Sequence, residues 1–102
     1  MVIDSVREAA LTETPRNTVA LAGDKVVLHC STDAQGGDGK RIQWLFGTQR
    51  LICRPKREQC NLIIDSVRTS DAGAYECSDG SLRVAQSSLI VIGNHIRNLL
   101  NL

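Results

Sequence analysis

Four cysteines, at positions 30, 53, 60 and 77, constrain this 102-residue chain more than any other feature. An even count in a short chain favours disulfides and an oxidising compartment. The rival is a zinc centre of four thiolates, which brings its ligands in close pairs such as Cys-x-x-Cys. The spacings here, 23, 7 and 17 positions, contain no such pair. Cross-links matter because the chain is small: 42% apolar residues suffice for one domain with a single core and little more.

Between the cysteines, apolar residues alternate with polar ones instead of recurring at three and four. "DKVVLHC" puts Val26, Leu28 and Cys30 on one face, and "KRIQWLF" does so with Ile42, Trp44 and Phe46. Leu62 and Ile64, Tyr75 and Cys77, and Leu89 and Val91 follow the same period of two. Turn residues fall between these runs, at "AGD" 22–24, "QGGDG" 35–39, "FGTQ" 46–49, "SDAG" 70–73 and "SDGS" 78–81. Strands at this spacing predict an antiparallel sandwich or barrel. "VIDSVREAALTETP" reads as a first edge strand that bends at Pro15. Ile96, Leu99 and Leu100 stand at helical spacing in a tail that reads as a linker, a remnant or a functional segment.

The formal net charge of +1 conceals a basic middle. Residues 34–60 hold six bases and two acids, residues 1–33 three bases and five acids, and residues 61–102 three bases and four acids. A chain so near neutrality is not a nucleic-acid binder by charge. No run approaches the roughly 20 apolar residues of a membrane span, and "MVIDSVREAAL" lacks the pattern of a signal peptide. The sequence therefore reads as a piece of a longer secreted or membrane-tethered chain, with any membrane attachment made by segments outside it. No Asn-x-Ser/Thr triplet occurs, so N-glycans shield none of its faces. His29 and His95 cannot be placed with a nucleophile and an orienting acid, which leaves enzyme chemistry without a foothold and no cofactor implied. "DAQGGDGK" reads as a hairpin turn, not a phosphate cradle, and Asp33 and Asp38 lack the further acids of a calcium loop.

Cys30, Trp44 and Cys77, with "NLIIDSVRTSDAGAYEC" and the closing "SLIVI", carry a resemblance to the immunoglobulin superfamily over roughly residues 11–93. The resemblance implies an all-β, two-sheet antiparallel Greek-key sandwich, with Cys30 bonded to Cys77 between the sheets and the Trp44 indole packed on that bond. It also implies that Tyr75, two residues before the second cysteine, bonds back to upstream backbone at a corner begun by Asp71, with Gly73 supplying backbone freedom. The short interval between Trp44 and Asn61 leaves room for a C′ strand at "RLIC"; strand C″ is expected to be absent and D vestigial or missing. The joining-segment "FG-x-G" of antigen receptors is not found in "SLIVIGNH". Cys53 and Cys60, seven positions apart across "RPKREQ", are close enough to close a small loop. Such a bond either substitutes for a missing strand D or stiffens a basic, contact-making loop.

Domains of this kind commonly bind through the face of strands G, F, C and C′ or through end loops. Alternation from inward Trp44, Cys77 and Leu89 turns Leu45, Ile90 and Ile92 outward as an apolar patch, rimmed by Gln43, Arg50, Glu76 and Arg83. The N-terminal segment is a candidate cover for the G strand. Lys40, Arg41, Arg50, Arg54, Lys56 and Arg57 gather on or beside the C–C′ edge, as solvated edge charge or as an attraction for an acidic protein or sulfated glycan. Arg54, Lys56 and Arg57 form the candidate anion loop. The resemblance thus implies an extracellular recognition or adhesion module of a cell-surface or secreted receptor, binding a protein partner or a second copy of itself. The alternatives are an immune-type domain reading foreign ligands through residues 31–40 and 78–86, a glycan binder, and a structural spacer. Residues 1–10 are expected to be an extension or edge strand and 94–102 a linker or tail.

Overall fold

The computed structural model describes residues 11–32, 41–80 and 84–93. Ten strands succeed one another: β1 (Leu11–Glu13), β2 (Thr18–Leu21), β3 (Val26–Leu28), β4 (Ser31–Thr32), β5 (Gln43–Phe46), β6 (Gln49–Leu51), β7 (Arg54–Lys56), β8 (Gln59–Ile64), β9 (Gly73–Ser78) and β10 (Val84–Ile92). A 3₁₀ turn, Thr69–Asp71, precedes β9. One sheet runs β1-β4-β8-β3, with β7 also on β8, and the other runs β2-β10-β9-β5-β6. Among the described residues every pairing is antiparallel except β2 with β10, which is parallel.

The period of two explains the core. Val26, Leu28, Cys30, Ile42, Trp44, Leu62, Tyr75, Cys77 and Leu89 are all buried, and they meet between the sheets. Cys30 is bonded to Cys77 across the two layers. Trp44 is fully buried, and its indole N–H donates to the carbonyl of Cys60 at 2.8 Å, so the ring ties β5 to β8 in the opposite sheet. That bond satisfies a polar group that would otherwise be costly to bury.

The corner before β9 forms as the phrase around Tyr75 implies. Its hydroxyl donates to the carbonyl of Asp71 at 2.6 Å, and an Asp71 carboxylate oxygen accepts from the Arg68 amide at 2.8 Å. Gly73 has a φ of +143°, and an added Cβ would also lie 2.8 Å from the Phe46 ring. The glycine is therefore needed for close approach as well as for backbone freedom. Phe46 in turn stacks on Tyr75 at 4.6 Å.

Two expectations change and a third is narrowed. The first edge strand is two strands in different sheets, β1 on β4 and β2 on β10, with buried Pro15 between them. A proline fixes φ and gives up a ladder donor, which suits a crossing between sheets. The C′ strand stops at Leu51, and Ile52, 93% exposed, begins the passage to the other sheet. Of the two states expected for strand D, the vestigial one is found, as the three residues of β7 hydrogen-bonded to β8.

Candidate protein-binding surface

The β2-β10-β9-β5-β6 sheet turns one side to the core, and the register fixes the rows on its other side. Arg50 lies opposite Leu45, Leu45 opposite Glu76, and Glu76 opposite Gln86. Gln43, Ser78 and Val84 form the next row. The centre is polar, because the Gln86 side-chain amide donates to the Glu76 carboxylate at 2.6 Å.

The apolar part of this face is at its margin. Ile90 pairs with Val19 and Ile92 with Leu21, side by side across β10 and β2. Val19 is 63% exposed and Ile90 56% exposed, while Leu21 and Ile92 are half-buried. Of the N-terminal segment, the described part, residues 11–21, includes β2, which lies beside β10 in the sheet and leaves Ile90 open. Asn17 closes the end of this margin by accepting from the Ser88 amide at 2.9 Å.

Leu45 does not join that patch. It is half-buried between Arg50 and Glu76, two strands and four residues from Ile90, a separation of roughly 16 Å at ordinary strand spacing. Alternation places both residues on one side of the sheet; the register separates them along it. Gln43 and Arg50 are exposed and Glu76 half-buried. Arg83 lies outside the described residues, as do Lys40, most of the 31–40 loop, part of the 78–86 loop, and residues 1–10 and 94–102.

The basic group divides likewise. Arg50 is on β6 in one sheet, whereas Arg54 and Lys56 are on β7 and Arg57 in the β7–β8 turn of the other, all exposed. The chain changes sheets at Ile52 and Cys53, so sequence neighbours fall on different faces. The anion loop is a hairpin. Cys53 and Cys60 are bonded at its base, and no cysteine of the chain is free. Cys60 is only 1% exposed and its amide donates to the Cys30 carbonyl at 3.0 Å, which links the two cross-links inside the core.

The profile of the immunoglobulin domain family matches residues 10–78. The chain belongs to that family. Among solved structures, a chain of the titin–obscurin-like 1 immunoglobulin complex superposes with a TM-score of 0.74 at 18% identity, covering 85% of this domain and 95% of that chain. The titin Z1Z2 domains in complex with telethonin give 0.73 at 12% identity, over 85% and 48% of the two chains. The twitchin kinase region from C. elegans gives 0.70 at 17% identity, over 83% and 16%. At these identities the likeness is one of fold. An immunoglobulin domain is a protein-binding or structural module, typically non-enzymatic, and two closed disulfides favour an oxidising compartment.

Val19 is the surface residue that alternation alone overlooks. Its exposure beside Ile90 follows from the parallel pairing of β2 with β10, which the sequence signals only through the apolar "TVAL" after Pro15.

Proposed function

We propose that this immunoglobulin domain is an extracellular recognition module that binds a protein partner non-covalently, a second copy of itself included, through the outer face of the β2-β10-β9-β5-β6 sheet. The observation that carries the reading is the exposed pair Val19 and Ile90, flanked by Leu21 and Ile92 and continued by the polar rows of Gln43, Glu76 and Gln86. An interface centred on the β2–β10 margin would take this apolar strip as its core, with the polar rows bordering it on one side. Covering the exposed part of each aliphatic side chain contributes about 1 kcal/mol, so the affinity has to be summed over several residues. Trp44 and Tyr75 are buried and Phe46 half-buried, so no open aromatic side chain anchors this face. The disulfides support an extracellular setting. Neighbours of the same fold occur in complexes with protein partners, titin with obscurin-like 1 and with telethonin.

Sedimentation velocity over a concentration series tests the self-association arm. Val19→Arg and Ile90→Arg should each weaken association at least tenfold with little change in the thermal transition, and Leu45→Arg should do so less. Association unaltered in both margin variants rejects the interface. A parent chain that stays monomeric assigns the face to a different protein partner, or returns the domain to the role of spacer.

A further inference from the structure

The β7–β8 hairpin combines features that the recognition face does not use. In β7, Arg54 and Lys56 point to one side, while Pro55 lies opposite Cys60, whose side chain is in the core. Arg54 pairs with Asn61 and Lys56 with Gln59, so two cations alternate with two amides across the outer surface of this sheet. Arg57 follows in the turn. Among the described residues none of these three cations has a carboxylate within ion-pairing distance; the pair that forms nearby is His29 with Glu13, at 4.0 Å.

The hairpin is also held still. The Cys53–Cys60 bond closes its base, the Cys60 amide and the Asn61 side chain are bound to the Cys30 backbone, and the Trp44 indole holds the Cys60 carbonyl. A backbone fixed in this way loses little freedom when its side chains meet a ligand. Arg57 sits at a φ of +58°, a left-handed conformation that glycine or asparagine adopts more readily. A strained cation at a hairpin tip, where glycine would relieve the backbone, is the kind of outlier that marks a functional position.

Lys56, Arg57 and Gln59 border an open depression of about 620 Å³ shared with Thr12, Glu13 and Glu58. Arg54 and Asn61 border a second one, of about 350 Å³, shared with Lys25 and Asp65. The cations therefore run along the hairpin from one depression to the next, and Glu58, within the turn, opposes them.

We propose that this hairpin docks a sulfated polysaccharide, with sulfates against Arg54, Lys56 and Arg57 and sugar oxygens against Asn61 and Gln59. A row of cations without carboxylate partners among the described residues, on a fixed backbone, suits a linear polyanion. The polar amides between them suit hydroxyl and sulfate oxygens. Base stacking would call for open aromatic rings, which the hairpin lacks, and the oxidising compartment indicated by the disulfides favours a sulfated polymer over a nucleic acid.

Heparin-affinity measurements on the intact domain decide the matter, with desulfated heparin and polyglutamate as comparison probes. Arg54→Ser/Lys56→Ser/Arg57→Gly should weaken heparin binding roughly a hundredfold at physiological salt, taking about fivefold per cation near an anionic surface. Arg50→Ser, on the other sheet, should leave it unchanged, and Glu58→Gln should strengthen it. Should the triple variant fail to fold, Lys56→Ser alone carries the test with a loss of about fivefold. Binding unaffected by these hairpin variants, equal loss in Arg50→Ser, or equal retention on desulfated heparin overturns the proposal. Tighter binding to polyglutamate overturns it in favour of an acidic protein.

Discussion

The margin where β2 meets β10 and the hairpin of β7 and β8 both present contact residues, yet they are held in different ways. β10 has nine residues and is paired on both sides, by β9 over six positions and by β2 over four. Its exposed aliphatics inherit their positions from the ladder and have no covalent staple of their own. Among the described residues β7, three residues long, has β8 as its neighbour on one side and none on the other, and with the adjoining turn it carries three cations without carboxylate partners. That segment cannot rely on pairing alone, and the Cys53–Cys60 bond supplies what the short ladder does not. Rigidity at a surface can come from sheet pairing or from a local cross-link, and this molecule uses one at each place.

Removing the cross-links separates the two regions most strongly. Cys30→Ala with Cys77→Ala opens a loop of 47 positions and should cost about 4 kcal/mol in the chain-entropy account, weakening both regions alike because that bond joins the layers. Cys53→Ala with Cys60→Ala opens a loop of 7 positions and should cost about 2.5 kcal/mol. In amide exchange, protection should then fall across residues 54–61 and stay near the parent value in β9 and β10. Equal loss in both places would dissolve the contrast.

Two smaller changes act on one side each. Tyr75→Phe removes the hydroxyl that reaches Asp71 and should cost about 1 kcal/mol by denaturant titration. Burial, and secondarily the negative charge of Asp71, raises the Tyr75 phenol above its ordinary value of 10.0. The unfolded chain therefore ionises first. The tyrosine's contribution is full below pH 10.0 and is lost as pH rises through the higher folded value, so the parent should lose stability in that window more than the phenylalanine variant. Arg57→Gly relieves the left-handed backbone at the hairpin tip and should stabilise by up to about 1 kcal/mol in a thermal scan. A loss there would mean that the turn gains more from the arginine side chain than the backbone loses.

Much of the core was legible because it depends on one strand at a time. Val26, Leu28 and Cys30 alternate into the interior whatever their neighbours are, and the phrase ending at Cys77 specifies the tyrosine corner locally. What escaped depends on two strands at once. Leu45 and Ile90 share a side by alternation, but their separation is set by the offsets of β5, β9 and β10, which no single strand encodes. Val19 went unnoticed because a change of sheet at Pro15 converts what reads as one edge strand into two. The three residues of β7 contain a proline and two cations, a composition that argues against a strand in a sheet interior but suits an edge. The bond from Trp44 to the Cys60 carbonyl is made by backbone, so no residue type announces it.

Sedimentation of the intact domain and of Ile90→Arg, each at low and high salt over a range of concentrations, tests the recognition surface most directly. The account predicts self-association that persists at high salt and falls at least tenfold in the variant, as an apolar contact requires. Association that vanishes with salt and is indifferent to Ile90→Arg would contradict it.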